Sequence, residues 1–152
     1  MRIVSAGQYT TANLVAILAL VFITYLIWRN YRRRGRLVRG AEIAPAVEAA
    51  LGRLLAGETR FVVVSVSPSV YLQFANEPHG AVLAEANCPA DNPGAERVLS
   101  TAGLSAVQGP PNYRATLAGA DVNRLAGLVR DYLDALGASS ITIRTARRTA
   151  TR

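Results

Sequence analysis

Few side chains in this chain belong to the types that carry out nucleophilic or metal chemistry. The chain has one histidine, His79, and one cysteine, Cys88. A metal site needs several converging ligands, so this pair predicts no metal centre. No basic residue lies near Cys88 in the sequence to lower the pKa of its thiol. We therefore expect Cys88 to be a small buried or half-buried residue.

The carboxylates Glu77, Glu85, Asp91 and Glu96 could in principle form an acid–base pair, but their spacing does not require one. A solvated surface explains most of them. Glu85 differs because it interrupts an apolar strand pattern, which indicates the exposed face of a sheet where a partner could bind. Phosphate-binding glycine loops, nucleotide-binding lysines and serine-hydrolase elbows do not occur in the sequence. The sequence therefore predicts no catalytic residues, no cofactor and no enzymatic activity.

The elements that would position these side chains follow helix and strand patterns in turn. Apolar residues at helical spacing predict helices at 44–56 and 120–136, with a shorter helix at 95–102. Short apolar runs separated by turn residues predict strands at 61–66, 70–75, 81–86, 104–107 and 113–117. Residues 141–143 are one more short candidate strand. The grouping predicts an α+β domain with a mostly antiparallel sheet covered by helices, in the order α-β-β-β-α-β-β-α.

The most apolar stretch is the run of residues 12–28, and six arginines follow it within the next eleven residues. A helix over this run covers about 26 Å, near the lower limit for crossing a hydrocarbon layer of roughly 30 Å. The positive-inside tendency places the chain after the run in the cytoplasm. The sequence predicts a single-pass cell-membrane protein with residues 1–11 outside and a transmembrane helix at 12–28.

A basic collar at 29–41 follows the apolar run and is expected to contact anionic lipid headgroups. The collar either continues the helix or forms a short linker. Its arginines and the neighbouring aromatic residues are the predicted membrane-interface residues: Trp28, Arg29, Tyr31, Arg32, Arg33, Arg34, Arg36 and Arg39. A folded cytoplasmic domain at 42–143 and a basic, partly disordered tail at 144–152 complete the predicted organisation.

The net charge of +7 is unevenly distributed along the chain. All ten acidic residues lie between Glu42 and Asp134, whereas most of the arginines lie in the collar and the tail. The predicted domain is therefore acidic, which argues against a nucleic-acid partner. A single cysteine cannot form an internal disulfide, which fits a reducing compartment.

Several short motifs resemble those of the TY-Chap domains, actinobacterial relatives of the type III secretion chaperones. The motifs are VYLQFA at 70–75, VLAEA at 82–86, LSTAGL at 99–104, PNYR at 111–114 and YLDALG at 132–137. The resemblance covers about residues 44–137 and departs from the family where Leu104 follows Gly103 in place of the frequent Trp. It implies an α-β-β-β-α-β-β-α fold that binds proteins or peptides without catalysis and often pairs as a dimer.

Two functions follow as hypotheses. The first is a membrane-anchored, chaperone-like module that binds a protein or peptide partner, with these candidate contact residues: Tyr71, Gln73, Glu85 and Tyr113. The second is an accessory structural subunit of a larger membrane complex, such as a respiratory or transport assembly. In that case Ala12, Ala16 and Ala19 form a small-residue stripe that allows close helix packing.

Overall fold

The computed structural model describes residues 35–89, 91–107 and 112–147. Within them, one seven-stranded antiparallel sheet is combined with three α-helices. The strands are β1 Gly35–Arg39, β2 Thr59–Ser67, β3 Val70–Asn76, β4 Val82–Asn87, β5 Ser105–Ala106, β6 Asn112–Leu117 and β7 Ser140–Arg147. The helices are α1 Ile43–Leu55, α2 Pro93–Thr101 and α3 Val122–Leu136. The strand order across the sheet is β1-β7-β2-β3-β4-β6-β5. The predicted α+β class with an antiparallel sheet is thus confirmed.

The longest helix, α3, has a suitable residue at each end. The Asp121 carboxylate accepts a hydrogen bond from the backbone N–H of Arg124 at 2.8 Å, which satisfies a donor of the first turn. Gly137 follows the last turn with φ 64°, a left-handed conformation that glycine adopts without steric cost. The predicted helix at 120–136 and its end at Gly137 are confirmed.

The hydrophobic core lies between the helices and one face of the sheet. Alternate residues of the central strands point into it because successive side chains of a strand lie on opposite faces. Val62, Val64, Leu72 and Phe74 are at most 1% exposed. Helix residues complete the same cluster, namely Val47, Leu51 and Leu54 of α1, Ala95 and Leu99 of α2, and Leu125, Val129 and Tyr132 of α3. The opposite side, which we call the distal face, carries the other alternate residues.

The predicted element order is wrong at both ends of the domain. The sequence predicts a helix or a linker at 35–39, but this part of the collar is strand β1, whose Val38 is 1% exposed and fills the core. The candidate strand at 141–143 is the middle of β7, which continues through residues 144–147 of the predicted tail. β1 pairs with β7, and β7 pairs with β2. The observed order is therefore β-α-β-β-β-α-β-β-α-β.

A glycine at the start of β1 allows its close approach to β7. Gly35 lies opposite Arg144 in the register. A Cβ atom at this position would overlap the γ-methyl group of Thr142 and press on the Arg144 side chain. Any larger residue would therefore require the Thr142 and Arg144 side chains to shift.

The prediction of a transmembrane helix requires correction. Among the described residues, no helix is both long enough and apolar enough to cross a membrane. The run at 12–28 and the short segment at 1–11, on which that prediction rested, lie outside the described residues. The cytoplasmic location of the domain stays a prediction.

Candidate functional site

The register of the sheet arranges the distal face into rows of side chains that cross neighbouring strands. The central row consists of Arg144, Val63, Gln73, Glu85 and Arg114 on β7, β2, β3, β4 and β6. A second row, in the same strand order, consists of Thr142, Ser65, Tyr71, Asn87 and Asn112. A third consists of Ala146, Phe61, Ala75, Leu83 and Thr116.

The central row contains an ion pair beside an amide. The Arg114 guanidinium donates to the Glu85 carboxylate, and their side chains are 56% and 25% exposed. Gln73 lies directly opposite Glu85 on the adjacent strand. An exposed ion pair contributes at most about 1 kcal/mol to folding, so its main effect is to hold two charged groups in place on the surface. The row therefore places an ion pair and an amide side by side on the distal face.

The second row contains a buried hydroxyl group. Ser65 is 2% exposed, and its Oγ has no hydrogen-bond partner among the described residues. Tyr71 and Thr142 lie on either side of it in the register. A buried hydroxyl without a partner costs about 1–3 kcal/mol. A polar group of a bound molecule that reached Ser65 would remove this cost.

The third row is mostly apolar. Phe61, Ala75 and Leu83 are half-buried on three adjacent strands, and Val63 of the central row lies next to them. Apolar contact area beside oriented polar groups is the usual composition of a protein-binding surface. The distal face thus combines apolar contact area with polar side chains on neighbouring strands.

The candidate contact residues divide between the two faces of the sheet. Tyr71, Gln73 and Glu85 lie together on the distal face. Tyr113 lies on the helix-covered face opposite Ala86 and is 7% exposed. Burial raises the pKa of the Tyr113 hydroxyl, and the negative charge of Glu96 and its hydrogen bond with the hydroxyl raise it further. Tyr113 is therefore a core residue in the described structure and is separated from the other three.

The remaining candidates occupy other regions. The alanines Ala12, Ala16 and Ala19 lie outside the described residues, as do the interface candidates from Trp28 to Arg34. Arg36 and Arg39 lie on β1 and are exposed. The structure therefore places these last two at one edge of the sheet.

His79 and Cys88 lie in unrelated environments. His79 is exposed in a short turn with φ 65°, whereas Cys88 is 1% exposed. Burial raises the pKa of the Cys88 thiol, and the negative charges of Glu96 and Asp91 raise it further. The thiol is therefore protonated and weakly nucleophilic near neutral pH. The described residues contain no group of three or more His, Cys, Asp or Glu side chains that could hold a metal ion.

A partly buried hydrogen bond joins the end of β4 to helix α3. The Tyr132 hydroxyl donates to the carbonyl oxygen of Asn87 at 2.8 Å, and Tyr132 is 1% exposed. On the distal side, the Asn87 amide donates to the side-chain oxygen of Asn112 at 3.1 Å. Helix α3 thus holds β4, and β4 in turn holds β6.

Two grooves flank α3 on the helix side of the sheet. One, of about 460 Å³, lies between α1 and α3, and its lining includes Val47, Ala126 and Leu133. The other, of about 450 Å³, lies between α2 and α3, and its lining includes Val98 and Leu128. Among the described residues, neither groove is lined by a buried polar group that lacks a hydrogen-bond partner. The distal face has such a group in Ser65.

Sequence reasoning missed Ser65 and Asn87 on the distal face, and it missed the pairing of Arg114 with Glu85. The period-two alternation of residues 61–66 could have indicated Ser65, because it puts Ser65 on the same face as Val63. The pairing of Arg114 with Glu85 had no such signal, since it depends on the register of β4 against β6.

Comparisons of this chain with protein-family models, with curated proteins and with solved structures find no match. The resemblance to the TY-Chap domains therefore stays a prediction, and the function must be argued from the distal face itself.

Proposed function

We propose that this protein is a chaperone-like, protein-binding module that holds a segment of a partner protein against the distal face of its sheet. The observation that carries the proposal is the buried Ser65 hydroxyl, which lacks a partner among the described residues and lies between Tyr71 and Thr142. Buried polar groups in native proteins are nearly always hydrogen-bonded to protein or to ordered water, so the Ser65 hydroxyl has bonding capacity that a bound segment can use.

The neighbouring side chains support a protein segment as that partner. Tyr71 offers a large contact area with a polar tip, and such residues dominate binding energy at protein interfaces. Gln73 can both donate and accept, which suits the backbone and amide groups of a polypeptide. Phe61 and Leu83 provide apolar area beside these polar groups. The three α-helices cover the other face, so binding on the distal face leaves the core intact.

Site-specific photo-crosslinking in full-length protein tests the proposal. A benzoyl-phenylalanine residue would replace Tyr71 or Gln73 on the distal face in the native cells. The matched control position is Ala49, which is exposed on α1 on the other side of the sheet. We expect a defined partner to be crosslinked from the two distal positions and not from Ala49. The same proteins crosslinked from all three positions would contradict the proposal.

Binding of the identified partner by purified variants provides the quantitative test. We expect Tyr71→Ala to weaken binding by about 2 kcal/mol, roughly thirtyfold in Kd, because it removes an aromatic side chain from the centre of the surface. Ser65→Ala is expected to leave folding intact and to weaken binding about tenfold through loss of one hydrogen bond. Ala49→Ser serves as the control with unchanged affinity. Unchanged binding by both distal variants would refute the distal face as the site.

A further inference from the structure

Strand β1 is the edge of the described sheet, and its outward backbone groups can be assigned. The N–H of Gly40 donates to the carbonyl of Ser139 at 3.1 Å, and Arg39 lies opposite Ser140. Residues of an antiparallel pair alternate between hydrogen-bonded and non-hydrogen-bonded positions. Counting back from Gly40, the N–H and C=O groups of Arg39, Leu37 and Gly35 therefore point away from β7.

The side chains of this edge are basic and apolar. Leu37 is 57% exposed, which is the largest exposure of any large hydrophobic side chain among the described residues. Arg36 precedes Leu37 in the sequence and Arg39 follows it, and both arginines are exposed. The next strand adds Arg144, which lies opposite Gly35. The fold thus brings residues of two basic segments that are far apart in sequence, the collar and the tail, to one edge of the sheet.

We propose that β1 accepts an extended acidic segment of a protein partner as an additional strand. Outward backbone groups at alternate residues are what strand addition requires, and lipid headgroups or nucleic-acid phosphates offer no backbone to pair with them. Exposed arginines on both sides of Leu37 favour acidic side chains in the added strand, because opposite charges across a strand pair stabilise it. Leu37 selects an apolar residue between the acidic ones. The inference rests on the proposed function only in that the ligand is a polypeptide.

A second copy of this chain is a poorer occupant of the same edge. Antiparallel pairing of two β1 strands would bring Arg36 and Arg39 of both copies within one short ladder. Like charges on neighbouring positions of a strand pair are destabilising. Exposed charge on an edge strand is also a common means of preventing self-association. The charge of β1 therefore opposes its own copy and attracts an acidic segment.

The test uses the full-length protein in a mild detergent and a fluorescein-labelled ten-residue peptide that repeats Glu-Thr-Val and ends in Glu, so that an antiparallel added strand places Glu opposite both Arg36 and Arg39 and Val opposite Leu37. Anisotropy measures binding, and the same peptide with Lys in place of every Glu is the control probe. We expect saturable binding of the acidic peptide only. Amide hydrogen exchange should then slow at Leu37 and Arg39, whose N–H groups point outward, and change little at Val38, whose N–H group already faces β7.

Two variants separate backbone pairing from charge. Leu37→Pro removes an outward N–H together with the leucine side chain and leaves the N–H groups that bond β7 in place, so the pairing of β1 with β7 is retained. We expect it to weaken binding at least about tenfold, whereas Leu37→Val keeps the N–H and binds within about twofold of the wild type. The double variant Arg36→Glu with Arg39→Glu is expected to weaken binding of the acidic peptide by a similar factor. Its matched control changes two exposed arginines on the helices, Arg53→Glu with Arg97→Glu, and keeps normal binding.

Each other outcome overturns the inference. Normal binding by Leu37→Pro together with loss in the Arg36/Arg39 variant would show attraction by charge alone, the pattern expected for anionic lipid. Equal losses in both double variants would show a dependence on net charge. A dimer of the wild type that Leu37→Pro abolishes, without peptide binding, would assign the edge to a second copy. Tyr71 lies three strands away from β1. The effect of Tyr71→Ala on partner binding therefore tests the distal face independently of the peptide-binding test at β1.

Discussion

Replacing Tyr132 with phenylalanine removes one hydroxyl from the interior and tests how α3 is held against the sheet. Tyr132 is 1% exposed, and its hydroxyl donates to the Asn87 carbonyl at 2.8 Å. The variant loses this bond and leaves the carbonyl without its buried donor. We expect the free energy of unfolding at pH 8 to fall by about 1–2 kcal/mol.

The same hydroxyl gives the wild type a characteristic response to alkali. Burial raises the pKa of Tyr132 above its ordinary value, and the nearby Cys88 and Tyr71 raise it further. The unfolded chain therefore loses this proton first, near pH 10. The stabilisation is complete below pH 10 and decreases by about 1.4 kcal/mol per pH unit as pH rises toward the folded-state pKa. We expect the wild type and Tyr132→Phe to become equally stable at about pH 11.

Urea unfolding followed by far-ultraviolet circular dichroism, at intervals from pH 8 to pH 11.5, measures both effects. Cys88 and Tyr113 also have raised pKa values, but both proteins contain them, so their contributions cancel in the difference. A difference between wild type and Tyr132→Phe that is zero at pH 8, or that stays constant up to pH 11.5, would refute the reasoning.

Four further substitutions test the fold by urea or thermal unfolding. Gly127→Ala in α3 places a Cβ where nothing lies within 4 Å, and is expected to raise the unfolding free energy by about 0.5–1 kcal/mol, whereas Gly137→Ala, at φ 64°, lowers it by about 1 kcal/mol. Gly35→Ala overlaps the Thr142 methyl group and is expected to cost about 1–3 kcal/mol, with faster hydrogen exchange in β1 before any other strand. Asn92→Ala removes the cap of α2 at 2.9 Å and a hydrogen bond to the α3 backbone at 3.1 Å, which we expect to cost about 2 kcal/mol. Stabilities equal to the wild type would contradict each expectation.

Local patterns predicted most of the helices and the central strands. The β-branched run at 61–66 identified β2, and the alternation at 70–75 identified β3, because successive side chains of a strand lie on opposite faces of the sheet. The predicted start of α3 at residue 120 missed the cap at Asp121 by one residue, whereas its end at Gly137 was identified because glycine adopts the left-handed conformation that follows a last helical turn. These features depend on neighbours within a few residues, so a single sequence contains them.

The candidate site was predicted in part. Glu85 was singled out because a charge interrupts an apolar strand, and it does lie on the face away from the helices. Tyr113 was grouped with it, although its strand places it on the opposite face, in the core. The face of the sheet on which a side chain lies depends on which alternate positions the helices cover. The residue type alone does not distinguish Tyr113 from a tyrosine on the surface.

The edge strand shows what the sequence could not indicate. Residues Gly35–Arg39 contain two arginines and resemble a continuation of the basic collar, yet they pair with Ser140–Arg144 across more than a hundred residues of chain. Pairing of strands so distant in sequence is decided by the backbone hydrogen bonds that β7 offers and by the space in the core that Val38 fills. Residue types and spacing sufficed for the α+β class and for the approximate positions of the three helices. The strand register, the face on which each side chain lies and the identity of the edge strand depend on long-range packing. This packing brings Ser65, Gln73 and Glu85 onto one surface.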